Sequence, residues 1–298
     1  MSALSLSQFG FATASLAGHS LAEACRVGKS LGFEVVEFLA FDGYQHSQGK
    51  LSGFYYDRMG PDEQAALREL ASGFRHVTTH APFFELPILS PSPGLREAAV
   101  RQLEVAIEGT AAIGGALTVT HAAPKATHTL EQSWDDLLAL YRQLGDLAGE
   151  QGVRVTIETT YPPTVGEFAE LVWDIDHPAV GANVDVGHLV AQVPAELRGT
   201  EAAPDYYNDL LEQHLRSLGS KLYHFHLHDV RAGDLRDHRA CGRGIIDYAR
   251  LLRVAAELDY EGVFVFELEE PDMAAALTHC RQTIEDALPS PGHAPQPQ

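Results

Sequence analysis

Basic residues are scarce in this sequence. Its 298 residues include 21 lysines and arginines against 41 aspartates and glutamates, which gives a formal net charge of −20. Clustered positive charge attracts proteins to nucleic acid and to anionic membrane surfaces, so this balance argues against both partners. Apolar runs are short, because no stretch approaches the roughly 18 residues of a membrane-spanning helix. The first 20 residues contain no cationic segment ahead of an apolar one, so no secretory signal is predicted.

Cysteine is rare as well. Cys25, Cys241 and Cys280 are far apart and odd in number, which argues against a disulfide framework and favours a reducing, cytoplasmic location. The residues near Cys241 in the sequence do not form a recognisable acid–base pair, so we do not assign this cysteine as a nucleophile. The sequence also has no Walker, Gly-x-Ser-x-Gly or Cys-x-x-Cys motif. Histidine, by contrast, is abundant, with 15 residues.

Short apolar, β-rich runs alternate with segments of helical periodicity. The runs are Leu6–Ala12, Val35–Leu39, His76–His80, Ala116–His121, Val153–Glu158, Val180–Asp185, Leu222–Leu227 and Gly262–Glu267. Their starts lie 27 to 42 residues apart, a spacing typical of strands that alternate with helices. Eight such units predict an α/β protein with a single (β/α)₈ TIM barrel. The alternative is a doubly wound open sheet, which usually has a glycine-rich turn after its first strand, and residues 11–15 do not form one.

Capping signals mark the starts of several helices. A serine or threonine followed three residues later by Glu or Gln indicates a capping box, and this pattern occurs at Ser20, Thr129 and Thr164. No linker divides the chain, so we expect one barrel domain over residues 1–288. Residues 289–298 are rich in proline and polar residues and are expected to form a disordered tail.

Ionisable residues occur where six consecutive predicted strands end. From the third strand to the eighth they are His80, His121, Glu158, Asp185, a histidine of strand 7 (His224, His226 or His228) and Glu267. A single residue of this kind is more often structural. The ends of barrel strands, however, converge on one axis. Six ionisable side chains grouped there without partners would cost folding free energy. A divalent cation removes that penalty, so the pattern predicts a metal site.

The residue types indicate which metal is expected. Two glutamates, one aspartate and one imidazole form a mostly hard ligand set, which favours manganese or magnesium, with cobalt and zinc as alternatives. Including His80, His121, His188 and His238 would allow a nitrogen-rich zinc cluster. On strand 7 the two-residue period places all three histidines on one face. We expect His224 to pack inside the barrel and His228 to lie behind the ligands or to face solvent.

Two loops carry further candidates. His238 lies in the loop after strand 7, which must overhang the barrel mouth. Phe83 and Phe84 follow the third strand and form either an apolar wall for a bound sugar or a helix-packing pair.

Four short motifs together resemble the xylose isomerase-like TIM barrel superfamily. They are Ile-Glu-Thr-Thr at 157–160, Val-Asp-Val-Gly-His-Leu at 184–189, His-Leu-His-Asp at 226–229 and Asp-His-x-x-x-Gly-x-Gly-x-Ile-Asp at 237–247. The superfamily includes sugar-phosphate isomerases and epimerases, ketose 3-epimerases, inosose dehydratases and apurinic endonucleases. The likeness covers the chain from the first strand to the last helix.

The epimerase branch implies roles for individual residues. Its metal ligands would be Glu158, Asp185, His226 and Glu267, which we call the quartet. Glu158 and Glu267 would also form the catalytic acid–base pair, and His188 would hold a substrate oxygen. The remaining expected substrate-binding residues are His80, His121, His238 and Phe83. The arginine expected after the strand 7 histidine has two candidates, Arg231 and Arg236.

The apurinic endonuclease branch implies three metals. Their ligands would be the quartet with His80, His121, His188, His238 and an aspartate two residues before His238. Arg236 occupies that position and Asp237 is one place off, so a complete three-metal cluster is not expected.

The sequence thus predicts a metal-dependent sugar isomerase or epimerase that acts on a ketose, aldose or keto-polyol through an enediolate, with proton transfer by paired glutamates. The alternatives are a keto-inositol dehydratase, a phosphodiesterase of the apurinic endonuclease type, and a barrel that binds sugar or metal without turnover.

The expected partner is a small sugar or polyol, and nucleic acid and membrane are not expected. The weak phosphate-binding signal favours an unphosphorylated substrate. Barrels of this kind often pair through loops and outer helices, so a homo-oligomer is compatible with the sequence, which leaves the oligomeric state open.

Overall fold

Eight parallel strands close into a barrel. The computed structural model describes residues 4–46, 49–125 and 128–288. The barrel strands are β1 (Phe9–Ala12), β2 (Val35–Leu39), β3 (His76–His80), β4 (Leu117–Thr120), β5 (Arg154–Glu158), β6 (Val180–Asp185), β7 (Leu222–Leu227) and β8 (Val263–Phe266). Each strand pairs with the next, and β8 pairs in parallel with β1, so the sheet is closed. The predicted (β/α)₈ barrel is therefore confirmed.

A helix follows each strand. The helices are α1 (Leu21–Ser30), α2 (Pro61–Ser72), α3 (Pro93–Ala112), α4 (Leu130–Gln151), α5 (Val165–Ile175), α6 (Ala203–Leu218), α7 (Tyr248–Glu257) and α8 (Met273–Ala287). The predicted capping residues Ser20, Thr129 and Thr164 each accept a backbone N–H from the third residue of their helix. Within the described ranges, no helix is long and apolar enough to cross a membrane.

The ends of some elements differ from the prediction. Leu6–Gln8 form a short 3₁₀ turn, so β1 begins only at Phe9. The turn is closed by hydrogen bonds from the Gln8 N–H to the Ser5 carbonyl and from the Ser5 N–H to the Gln8 side-chain oxygen. The helical pattern of the sequence begins at Asp205, whereas helix α6 begins at Ala203 and has Pro204 in its first turn, a position that suits proline. A short hairpin of Gln45–His46 and Gly49–Lys50 lies in the connection after β2. The predicted tail, residues 289–298, lies outside the described residues.

The strands are apolar because the barrel is covered on both faces. All residues of β1, β2, β4, β6 and β8 are buried, as expected for a parallel sheet surrounded by helices. Stacked rings, such as Phe9 on Phe264 at 4.5 Å between centroids, join neighbouring strands. Between β6 and β7 the register shifts at Ala182 and Asn183, so that Asp185 pairs with His226. This packing leaves the polar residues to converge at the carboxyl ends of the strands.

Candidate metal centre

The quartet meets around one nitrogen, Nδ1 of His226 on β7. Oε2 of Glu158, at the end of β5, and Oε2 of Glu267, just past β8, each lie 3.1 Å from it. Oδ2 of Asp185, at the end of β6, lies 3.8 Å away. His226, Asp185 and Glu158 are almost fully buried, whereas the side chain of Glu267 is 21% exposed. The structure thus brings together four residues that the sequence separates widely.

Glu37 orients the His226 ring from its other side. Oε1 of Glu37 lies 3.0 Å from Nε2 of His226, and its Oε2 accepts a hydrogen bond of 2.9 Å from the Thr78 hydroxyl. Nε2 therefore carries a proton and Nδ1 faces the quartet carboxylates. Burial opposes protonation of His226, but Glu37, Glu158 and Glu267 outweigh it and raise its pKa well above the usual value. Nδ1 then takes a second proton unless a cation lies beside it.

Asp185 uses its two oxygens differently. Oδ1 accepts hydrogen bonds from the backbone N–H groups of Gly187 (2.8 Å) and His188 (3.1 Å), and Nε2 of His228 lies 2.7 Å away. Oδ2 is buried and has no hydrogen-bond partner among the described residues. A buried carboxylate oxygen without a partner is costly. Because Oδ2 faces His226 Nδ1, a bound cation would satisfy it, so the residues present fit a divalent metal ion.

The quartet glutamates are ionised at neutral pH. Burial raises the pKa of Glu158, but the neighbouring imidazoles of His121 and His226 outweigh this effect and hold it well below the usual value. Burial also raises the pKa of Glu267, and His226 overcomes it, so that the pKa falls to about 2. Both carboxylates are therefore in the form that binds metals and accepts protons.

A second group of ligand atoms adjoins Glu158. Its Oε2 lies 3.4 Å from Nε2 of His80 and 3.5 Å from Nε2 of His121, and these two nitrogens are 3.3 Å apart. Nδ1 of His80 lies 2.8 Å from the carbonyl oxygen of Ala81, so it is the protonated nitrogen of the neutral ring. Nε2 of His80 then presents a lone pair to Glu158, an arrangement that a proton or a metal cation would stabilise.

A cavity of about 270 Å³ opens over these residues. It is lined by all the predicted substrate-binding residues, both quartet glutamates and further residues that follow β1, β2, β3 and β8. The lining residues are Ala14, Ser15, Tyr44, Leu51, His80, Phe83, Phe84, His121, Glu158, His188, His238, Glu267, Leu268 and Glu269. None of these described lining residues is lysine or arginine. Nδ1 of His188 is 2.9 Å from Oε1 of Glu158, at the border between cavity and quartet.

Aromatic rings form one wall of the cavity. The Phe83 ring stacks on His121 at 4.7 Å, and Phe84 stacks on Tyr44 at 3.9 Å. Of the two expectations for Phe83 and Phe84, the structure favours the cavity wall over helix packing.

Of the two expectations for His228, the structure supports the position behind the ligands, because the residue is fully buried and contacts Asp185. The expectation for an arginine near the site needs correction. Neither Arg231 nor Arg236 lines the cavity within the described chain, since they form exposed ion pairs with Asp234 and Glu269.

His224 is buried in the barrel interior as expected. Asp237 contacts His238, its carboxylate being 3.1 Å from Nδ1. It does not belong to the group of ligand atoms that Asp185, His188, His228 and His238 form among the described residues.

Two residues of the centre have no role in the sequence prediction. The sequence places Glu37 near the end of strand 2, as a lone acid within an apolar run, but does not assign it a function. Asn183 is two residues before Asp185, on the same face of β6. Its amide nitrogen lies 3.0 Å from Oε2 of Glu158 and 3.1 Å from Nδ1 of His226, and its Oδ1 lies 3.0 Å from Nδ1 of His224.

The fold and this site define a (β/α)₈ barrel protein with buried carboxylates and imidazoles at the carboxyl ends of its strands. Residues 25–286 match the family model of the xylose isomerase-like TIM barrel. The chain belongs to this family.

Among curated proteins, the chain is similar to an inosose dehydratase of Geobacillus thermodenitrificans (strain NG80-2). The two are 28% identical over 159 residues, which cover 47% of this chain and 48% of the relative. The chain therefore spans about half the length of the curated relatives it matches.

Solved structures share the fold over nearly the whole chain. A D-tagatose 3-epimerase-like protein superposes with a TM-score of 0.71 at 20% identity, covering 94% of this chain and 98% of that structure. The IOLI protein, solved with a bound zinc atom, superposes with a TM-score of 0.68 at 17% identity and the same coverage.

Proposed function

We propose that this protein is a divalent-metal-dependent isomerase or epimerase of an unphosphorylated sugar or keto-polyol. The observation that carries the proposal is the convergence of Glu158, Asp185 and Glu267 on Nδ1 of His226, directly beside the cavity. Membership of the xylose isomerase-like family and the likeness to an epimerase-like structure support it. The cavity of about 270 Å³ suits a small ligand, since pockets for drug-sized molecules measure roughly 300–1,000 Å³.

The quartet would hold the metal ion. Its three carboxylates and one imidazole favour manganese, with magnesium, cobalt or zinc as alternatives. When bound, such an ion acts as a Lewis acid that polarises a substrate carbonyl.

The two quartet glutamates would move the protons. Both line the cavity and both have lowered pKa values, so both start as bases. One carboxylate takes the proton from a substrate carbon, and the electron pair of that C–H bond enters the enediolate. The other glutamate, after taking up a proton, returns one to the carbon from its own side. His188, which is 2.9 Å from Glu158, would hold a substrate oxygen.

The charge around the cavity favours a substrate without phosphate. Its described lining contains three glutamates, Glu158, Glu267 and Glu269, and neither lysine nor arginine. A phosphate group would therefore lie beside these carboxylates without a lysine or arginine side chain among the described lining residues to bind it. The four lining imidazoles and the Phe83 wall suit hydroxyl groups and the apolar face of a sugar ring.

The test is proton exchange between substrate carbons and D₂O. A panel of ketoses and keto-inositols is incubated with the Mn²⁺-loaded protein and followed by NMR. We expect exchange with at least one compound, and its loss in Glu158→Gln and Glu267→Gln. The matched control is Glu269→Gln, the same change at a cavity glutamate outside the quartet, which should retain exchange. Full exchange in both quartet variants would contradict the two-glutamate mechanism.

A keto-inositol dehydratase is the nearest alternative, because the curated relatives are inosose dehydratases. The same proton removal would then be followed by loss of a hydroxyl as water. The NMR experiment separates the two, since a dehydratase yields a product lighter by one water and an epimerase yields an isomer.

A phosphodiesterase acting at abasic DNA is the second candidate. The observation that favours it is the group of His80, His121 and Glu158, which could bind another metal ion. The acidic net charge and the cavity glutamates oppose it. Nicking of an abasic oligonucleotide that excess EDTA abolishes, with three metals per chain by elemental analysis, would replace the epimerase proposal.

A further inference from the structure

His228 lies behind Asp185 and has a defined protonation pattern. Its Nδ1 accepts the backbone N–H of His238 at 2.9 Å, so this nitrogen carries no proton. The neutral ring therefore carries its proton on Nε2, which donates to Oδ1 of Asp185 at 2.7 Å. A nitrogen that donates a proton cannot ligate a metal. His228 is thus no ligand, although it lies within a group of metal-binding residue types.

The local backbone is shaped around this ring. A Cβ on Gly187 would lie 1.9 Å from Cε1 of His228, so only glycine permits the ring to pack against the strand end. Gly187 also donates its N–H to Oδ1 of Asp185. The motif Asp185-Val-Gly-His188 therefore provides the carboxylate and, at Gly187, the space for the His228 ring. It also provides the backbone N–H groups of Gly187 and His188, which both donate to Oδ1 of that carboxylate.

The loop on the far side of the ring is held in a strained conformation. His238 has φ of +54°, a left-handed value that is unfavourable for a residue with a side chain. Its ring stacks on His228 at 4.2 Å with an interplanar angle of 10°. Asp229, which follows His228, and Arg239, which follows His238, are joined by two backbone hydrogen bonds. This conformation places the His238 side chain in the cavity lining.

We propose that His228 is a positioning residue that couples a metal ligand to the loop over the cavity. Its Nε2 donates the third hydrogen bond to Oδ1 of Asp185. Of the two oxygens of this carboxylate, only Oδ2 then faces the quartet centre. Through Nδ1, His228 holds His238 in its left-handed conformation above the substrate position. The inference rests on the proposed metal centre and adds a residue that touches neither metal nor substrate.

Two variants separate the functions of the two nitrogens. In His228→Asn, the side-chain oxygen takes the place of Nδ1 and can accept from His238, but nothing reaches Asp185. In His228→Gln, the side-chain nitrogen takes the place of Nε2 and can donate to Asp185, but the acceptor for His238 is lost. The probe is Co²⁺ alone, titrated into metal-free protein against a chromophoric chelator. Circular dichroism and urea unfolding of the metal-free variants verify that each is folded.

We expect His228→Asn to weaken Co²⁺ binding by roughly 10- to 100-fold, the usual cost of losing a partner of a metal ligand, and to alter the visible Co²⁺ spectrum. His228→Gln should bind Co²⁺ nearly as tightly as the wild type. In hydrogen exchange, peptides that cover residues 229–240 should exchange faster in His228→Gln than in His228→Asn.

The outcomes separate this inference from the proposed function. Equal Co²⁺ affinity and equal loop exchange in folded wild type, His228→Asn and His228→Gln would overturn the inference and leave the metal centre standing. A wild-type protein that binds neither Co²⁺ nor Mn²⁺ would overturn the metal centre itself, and the inference with it.

Discussion

Nε2 of His226 lies 3.0 Å from Oε1 of Glu37, although the two residues are 189 positions apart in the chain. Both side chains are almost completely buried. The contact determines which imidazole nitrogen is protonated and therefore which one faces the other three members of the quartet. A carboxylate behind a metal-binding histidine fixes the ring and raises its basicity.

Glu37 should therefore control metal affinity without touching the metal. Replacing Glu37 by Gln keeps an acceptor but removes the charge, and we expect Mn²⁺ binding to weaken by roughly tenfold. Glu37→Leu removes the acceptor as well and should weaken binding further. The control is Thr78→Val, which deletes only the hydroxyl that supports Glu37 and should have the smallest effect. Calorimetric titration measures all four proteins, and an unchanged dissociation constant in folded Glu37→Leu would disprove the role.

Metal binding should stabilise the fold, because it satisfies buried carboxylates. At a free Mn²⁺ concentration 100 times the dissociation constant, the free energy of unfolding should rise by about 2.7 kcal/mol. Urea unfolding in Mn²⁺ and in EDTA measures the difference. Asp185→Asn should lose most of this increase, whereas Glu269→Gln should keep it. An equal increase in both variants would indicate that the stabilising ion binds elsewhere.

The stability of the protein should fall with acidity partly because of His214. This residue of α6 is buried, and burial lowers its pKa from 6.5 to about 4. Below pH 6.5 the unfolded chain takes up a proton at this position and the folded chain does not, so stability decreases until about pH 4. At pH 5 the difference of 1.5 pH units corresponds to roughly 2 kcal/mol.

The variant His214→Gln removes this titration. Urea unfolding at pH 7.5 and pH 5 should show a smaller loss of stability in the variant than in the wild type. The comparison uses the change with pH within each protein, so any constant cost of the substitution cancels. Equal losses in both proteins would show that His214 does not contribute.

Two glycines within helices should respond oppositely to alanine. A Cβ on Gly28 of α1 would lie 1.9 Å from the Phe11 ring of β1, whereas on Gly149 of α4 the nearest atom would be 3.9 Å away. We expect Gly28→Ala to destabilise the protein by roughly 1–3 kcal/mol through overpacking. Gly149→Ala should be neutral or stabilise by up to about 1 kcal/mol, because alanine favours helices. Urea unfolding distinguishes the two, and a stabilised Gly28→Ala would contradict the close packing of α1 on β1.

Much of the barrel could be predicted because its signals are local. Apolar runs and capping residues such as Ser20 and Thr129 reflect hydrogen bonds and burial within one element or its nearest neighbours. The ends of elements were harder to predict. The apolar run assigned Leu6–Gln8 to the first strand, whereas these three residues form a 3₁₀ turn. The order of ionisable residues at the strand ends then indicated a common centre, because a closed barrel brings those ends together.

The sequence by itself determined the barrel, the family resemblance and the residues that could bind a metal. Only the tertiary structure decided which atoms face one another: Nδ1 of His226 toward the quartet, Oδ2 of Asp185 left free by His228, and Arg231 and Arg236 turned to the surface. The physical reason is that the periodicity of a strand gives the face on which a side chain lies. Distances between strands that are distant in the chain depend on register and packing around the whole barrel.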